Sequence, residues 1–303
     1  MRESSRLAAL NTGRASFLRR VVSVVVATIL VVFVAPHGTT KADSQQYSVV
    51  VRIDAANAGL TSSEIAVRIG NLSVPATAIK TSPDVLRNIA IVVDAGPDQA
   101  KVLSAEKDLA MALINELSDA STSFTIAGAG ISSKTRATTL DRSVAIEHIR
   151  DIAGENGEKR NVPIYDVIGS AIRQISISPG LRVVIFIGEG NDGGSKMRYT
   201  ELRSLAESNQ IAFFAALVAG HSLRGAKSIL RYGWNLQDLT SDTVGIFLEN
   251  QKTPEATRCL SESVRGLSLV AFAMPSRQPG RYKVSVSARR SKRLRAQRAI
   301  VIP

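Results

Sequence analysis

Three stretches of this chain are apolar at consecutive rather than alternate positions: Ile89–Val93, Val183–Ile187 and Ile211–Val218. A strand patterned this way has no polar face to turn toward water, so it belongs in a parallel sheet covered on both sides by helices. Shorter runs at Ser123–Ala127 and Val244–Leu248 extend the set.

Helical periods lie between the runs. Ile164, Val167, Ile168, Ala171, Ile172 and Ile175 share one helical face, with Pro163 suited to the first helical position and Pro179-Gly180 ending the segment. Leu109, Ala110, Leu113, Ile114 and Leu117 predict a second helix within 101–118, and Val144, His148 and Ile152 a third. A fourth opens at Thr253-Pro254, where Thr253 is placed to cap and Ala256, Leu260, Val264 and Leu267 form the buried stripe. The alternation predicts an α/β fold, a doubly wound and mostly parallel sheet, over residues 84–270.

The flanks read differently. Tyr47–Asp54 and Glu64–Ile69 alternate apolar and polar residues across an Ala/Asn/Gly-rich turn, which predicts a hairpin or a pair of short strands in a β segment at 43–83. Tyr282–Ala288 and Arg298–Ile302 predict a strand pair in a tail at 271–303. Neither pair has the apolar surface to stand alone, so the two are expected to pack together as a small accessory β element.

Ahead of all this, Arg2, Arg6, Arg14, Arg19 and Arg20 precede fifteen uncharged residues, Val21–Ala35. Such a run spans roughly 22 Å as a helix, short of the ~30 Å membrane core, which favours an export signal at 1–42 cut after Ala42. An uncleaved inner-membrane signal anchor is the alternative. Either places the body outside the cytoplasm, as a periplasmic, cell-envelope or secreted protein. With that segment set aside, residues 43–270 carry 23 Lys/Arg against 25 Asp/Glu, whereas 271–303 carries nine Lys/Arg and no acid. The basic character therefore belongs to the signal and the tail. A nucleic-acid binder would spread it over the domain and interleave aromatic residues, so nucleic acid is not an expected partner.

One cysteine and three histidines leave no disulfide within the chain and few ligands for a His-built metal site. No HExxH, GxSxG or GxxxxGK[ST] occurs, so zinc-protease, hydrolase and P-loop chemistry lack their required residues, and the expectation is a protein that is not an enzyme. His148 reads as a partly buried packing residue on a helix and Cys259 as a buried inert thiol. His221 stands at a strand end with no nucleophile nearby.

Ligands of open α/β sheets bind beyond the carboxyl ends of the strands. After Val93 comes Asp94-Ala95-Gly96-Pro97-Asp98; after Ile187 comes Gly188-Glu189-Gly190-Asn191-Asp192-Gly193-Gly194-Ser195; between them stands Val162-Pro163-Ile164-Tyr165-Asp166. This order and spacing resembles the von Willebrand factor A-domain family, and the surrounding chain is similar to its bacterial exported "VWFA-related" subgroup. The similarity rests on GLTSSEIAVRIGN (Gly59–Asn71), the Tyr165-Asp166 pair and GRYKVSVSARRSKRLRAQRA (Gly280–Ala299), and covers 47–303. It implies a Rossmann-like domain that captures an extracytoplasmic protein partner through a metal-ion-dependent adhesion site. That site is an Asp-x-Ser-x-Ser loop, a Thr ahead of a mid-domain helix, and an Asp after a later strand.

Here the first Asp is Asp94, the serine positions hold Gly96 and Asp98, the Thr position holds Val162, and the late Asp is Glu189. The neutral hydroxyl ligands are gone. Three readings stay open: capture through a bound ion, altered binding of Mg²⁺, Mn²⁺ or Ca²⁺ through Asp94, Asp98 and Glu189, or a scaffold working without metal. Asp192 is a substitute ligand or turn chemistry. Tyr232 and Trp234 could anchor a partner from a loop. Arg289, Arg290, Lys292, Arg293 and Arg295 could hold an anionic envelope surface, or solvate an edge strand.

Overall fold

The computed structural model describes residues 44–53, 59–81, 84–96, 102–130, 134–154, 162–218, 227–275, 279–288 and 294–302. The expected signal segment lies outside them.

The continuous apolar runs become the centre of a six-stranded sheet. Its strands are β4 (Arg87–Asp94), β5 (Thr122–Ala129), β6 (Lys134–Thr135), β7 (Leu181–Ile187), β8 (Ile211–Val218) and β9 (Phe247–Gln251), in the order β6-β5-β4-β7-β8-β9. All pair in parallel except the short edge strand β6. Both faces are covered, as the runs require. Ile89, Ile91 and Val93 enter a core with helices α1 (Leu103–Leu117), α2 (Arg142–Arg150) and α6 (Thr253–Arg265). Ala90 and Val92 enter a second core with α3 (Ile164–Ile175), α4 (Tyr199–Ser208) and α5 (Lys227–Asp242). The chain is thus doubly wound, with three helices on each side among the described residues. Helix α3 buries every apolar position its spacing marks, each worth about 1.5–3 kcal/mol for a full Ile or Val side chain.

A third core belongs to a seven-stranded antiparallel sheet, order β12-β1-β10-β3-β2-β11-β13. It joins β1 (Ser44–Arg52), β2 (Ile65–Ile69) and β3 (Leu72–Thr81) to β10 (Leu267–Pro275), β11 (Gly280–Ala288), β12 (Arg295–Ala296) and β13 (Ala299–Ile302). The two flanks do pack together, and β11 does pair β13.

Several local expectations are corrected. Strands β1 and β2 form no hairpin: β10 pairs β1 along its whole length and β3 lies beyond it. The hairpin is β2–β3, turning at Gly70-Asn71 with Gly70 at φ +59. Leu267 opens β10 instead of closing α6, so the change from helical layer to β layer falls at Gly266, four residues before the expected boundary at 270. Strand β9 begins at Phe247, because Val244 adopts φ +79 and breaks the extended backbone. Pro163 is the N-cap residue of α3 and Thr253 the first helical residue of α6, after Lys252. On α2 the buried positions are Ala145 and Ile149, one residue on from Val144 and His148.

The two layers are fastened by charge. Glu207, buried at the end of α4, accepts from Arg203 Nε at 3.2 Å and from Arg281 Nε and Nη2 at 2.5 and 2.6 Å. Asp242, buried at the end of α5, meets Arg203 at 2.8 Å and Arg298 at 3.0 Å. Gln297 donates to the Glu207 carbonyl and the Arg298 N–H to the Asp242 carbonyl. Burial alone would push the Glu207 carboxyl up; the hydrogen bonds and charge of Arg281, with Arg203, reverse this and hold it below the usual carboxylate range.

Candidate functional site

Asp94 ends β4 with its carboxylate buried, only 3% of the residue exposed, and its Oδ1 accepts the Gly96 N–H at 3.1 Å. Gly188 follows β7 at φ +147 and donates its N–H to the Ala216 carbonyl. A Cβ on Gly188 would fall 2.2 Å from the Asp94 Cβ, so only glycine lets the two strand ends come this close. Glu189, the next residue, is half-buried.

The two described positions that the resemblance assigns to hydroxyl ligands touch each other. A Cβ on Gly96 would lie 2.8 Å from Val162 Cγ2 and 3.2 Å from Asp94 Oδ1. Val162 is buried, so its isopropyl group fills the space that a side chain at 96 would need. A hard divalent cation takes six or more oxygens, and neither side chain brings one. Among the described residues no three Asp, Glu, His or Cys are grouped to hold a metal. Gly96 and Val162 thus bring no side-chain oxygen to a cation, and Asp98 lies outside the described residues.

Asp192 works on a helix. Pro163, at the cap of α3, has no side-chain acceptor, and the Asp192 Oδ1 accepts the Tyr165 N–H at 3.3 Å in its place. The Ser195 hydroxyl donates to the same Oδ1 and accepts the Asp166 N–H at 3.1 Å. Asp166 answers across the gap, its two oxygens accepting the N–H groups of Lys196 and Met197, each at 2.9 Å. Gly193 and Gly194 both donate to the Val162 carbonyl at 3.2 Å. The glycine-rich loop and the start of α3 are therefore one knit unit. Burial raises the Asp192 carboxyl above its ordinary value, with the hydrogen bonds from Ser195, Tyr165 and Ile164 pulling the other way.

Ser195 entered the sequence reading without a role and Asp166 only within the Tyr165-Asp166 pair, although a sign was there: a helix whose cap is proline must find its acceptor elsewhere, and Asp192 and Ser195 stand in a loop that reaches it. Nearby, the Asn235 side-chain amide donates to the Tyr165 hydroxyl at 3.1 Å. The buried Tyr199 hydroxyl is pushed up to about 12, first by desolvation and then by Asp238, so it stays protonated.

The remaining candidates are dispersed. Tyr232 and Trp234 fall within α5, not on a loop, and their side chains lie outside the described residues. His221, Arg289, Arg290, Lys292 and Arg293 also lie outside them, while Arg295 is exposed in β12. His148 is half-buried on α2 as expected; Cys259 is free and half-buried on α6, less enclosed than expected.

No family model matches the chain, and no curated protein matches it. Among solved structures it is similar to a von Willebrand factor type A protein from Catenulispora acidiphila, at 9% identity and TM-score 0.49, covering 88% of this chain and 74% of that one. It is also similar to BatB from Bacteroides thetaiotaomicron, at 17% identity and TM-score 0.46, covering 58% and 96%. The vWF domain of the type V pili tip protein Mfa5 from Porphyromonas gingivalis follows, at 6% identity and TM-score 0.47, covering 59% and 95%.

Proposed function

We propose that this chain is an exported, non-enzymatic protein-binding module of the von Willebrand A kind, and that it meets its partner with the loops beyond β4 and β7 and the start of α3. The reading is supported above all by the reciprocal caps between Asp192 and Asp166. They tie a glycine-rich loop to the start of α3, while Gly193, Gly194, Lys196 and Arg198 remain exposed on it. A preorganised projecting loop loses little entropy on binding, which is what a recognition surface needs. The Val162–Gly96 contact supports recognition without a resident cation.

A photo-crosslinking residue placed at Lys196, with a second at Leu140 as control, tests this in envelope extract. Leu140 is 70% exposed and follows Thr139, which bridges to Phe124 at the amino end of β5. The expected result is a discrete adduct from position 196 alone, unchanged by EDTA. An adduct from position 140 alone would move the surface to the other end of the sheet. Loss of the 196 adduct in EDTA would restore the cation to the binding event.

A further inference from the structure

Helix α3 carries a glycine, Gly169, in its middle and on its buried side. Glycine is less favourable than alanine inside a helix, so the position needs a reason in what packs on it. A Cβ at 169 would stand 2.5 Å from Met197 Cε and 3.0 Å from Met197 Sδ, so the thioether fills the notch that the missing side chain leaves. Met197 is half-buried there, packed against the core that α3 shares with β4 and β7. Its N–H and that of Lys196 are the two groups the Asp166 carboxylate accepts. The loop is thus fastened to α3 at two adjacent points, a polar one at Asp166 and an apolar one a turn further on at Gly169.

The apolar point is the one that chemistry can change. Among the described methionines Met274 is sealed in the β-layer core at 0% exposed, and Met111 lies along α1. Met197 stands on the loop, outside any helix or strand.

We infer that Met197 is a reversible oxidation site for hydrogen peroxide and similar two-electron oxidants, and that its sulfoxide unlatches the loop from α3 and lowers partner capture, the last step resting on the recognition surface proposed above. The sulfur gives an electron pair to one peroxide oxygen; the S–O bond forms, the O–O bond breaks, and the other oxygen leaves as water. Sulfur is oxidised and the peroxide reduced by the same two electrons. The product is polar and larger, and the notch suits neither property. Sδ already lies close against the helix, and the backbone groups of α3 around Gly169 are committed to helical hydrogen bonds, so an oxygen placed inside finds no donor. Outside there is one: Arg173 Nη1 lies 3.7 Å from the same point, and Arg173 is exposed. The oxidised side chain therefore turns outward, and the loop is left hanging on Asp166.

Peptide mapping and hydrogen exchange on the purified protein test the latch before any partner is added. Mild hydrogen peroxide should add an oxygen to Met197, spare Met274, and speed exchange at the Lys196 and Met197 amides about tenfold. Methionine sulfoxide reductase should restore both the mass and the slow exchange. Gly169→Ala pushes the methyl out of the notch without oxidant and should show fast amides from the start. Met197→Leu keeps an apolar side chain of similar volume and should ignore peroxide, whereas Met111→Leu should respond as wild type does. Oxidation of Met111 with Met197 untouched, unchanged exchange in oxidised Met197, slow amides in Gly169→Ala, or acceleration that persists in Met197→Leu each overturns the inference. In envelope extract, protein oxidised before mixing should give about fivefold less adduct from position 196, recovered on reduction. An adduct indifferent to the sulfoxide overturns the switch and leaves the recognition surface standing; no adduct from 196 in either state removes that surface, and with it the last step, while the exchange result still decides the latch.

Discussion

Asp192 and Glu207 are both carboxylates at helix ends, and they stand at opposite ones. Asp192 sits over the amino end of α3, where the helix dipole and first-turn N–H groups favour negative charge and, with one serine, offset part of the burial that raises its carboxyl. Glu207 lies in the last turn of α4, where the dipole opposes it, and Asp242 does the same on α5. These two need three arginines. The contrast teaches that a buried acid is not by itself a mark of function. What surrounds it decides: guanidinium groups make a fastener between layers, whereas N–H groups and glycines make a shaped loop.

The strand end at Asp94 depends most on shape, so the largest effect is expected there. Gly188→Ala drives a Cβ into Asp94 and should cost about 3 kcal/mol in chemical denaturation. Asp94→Gly removes the atom it strikes, so the double variant should recover part of the loss, the strain of a Cβ at φ +147 remaining. Strict additivity of the two would show that the close approach is not what demands glycine.

At the fastener the expected loss is smaller, because Gln keeps the shape and one acceptor. Glu207→Gln should cost about 2 kcal/mol at neutral pH, the scale of hydrogen bonds to a charged group. The pH dependence separates the two helix ends by sign. Glu207 is held below the ordinary carboxylate range, so its contribution is full above that range and is lost as pH falls through it and on below it. Wild type and Glu207→Gln should converge on acidification. Asp192 is raised, so the folded state takes up its proton first and wild type should gain on Asp192→Asn as pH falls through the region just above the ordinary Asp value. Urea titrations at stepped pH read both, and slopes of the same sign would erase the distinction.

What could be read from sequence follows the same division. Continuous runs such as Ile89–Val93 and the stripe of α3 carry their environment in their own composition, so the doubly wound layer was legible. Strand β3 was missed although Gly70-Asn71 marks its hairpin, because Pro75 and Ala76 dilute its alternation. Strand β10 was missed because it follows α6 without a break, and its partners, β1 and β3, lie some two hundred residues earlier. The order β12-β1-β10-β3-β2-β11-β13 is a product of long-range pairing that no local pattern encodes. At the site, Asp94 and Asp192 drew notice because strand ends were the place to look. The knit between α3 and its loop was not, since it depends on which carboxylate reaches which N–H.

The smallest effect concerns the edge where the fastener meets β1. Gln210 holds φ +54, a left-handed conformation that costs a residue with a Cβ about 1 kcal/mol. Its side chain accepts from the Ser48 hydroxyl and donates to the Ser48 carbonyl, each at 3.2 Å, so it occupies part of the outer edge of β1 that β12 leaves uncovered. Gln210→Ala loses those bonds and keeps the strain; Gln210→Gly loses them and is relieved of it. Glycine should therefore be the more stable replacement by about 1 kcal/mol, even though alanine is ordinarily the more favourable residue. If alanine proves equal or better in thermal denaturation, the backbone at 210 is free to relax, and the β layer is held by Glu207 and Asp242 without help from this turn.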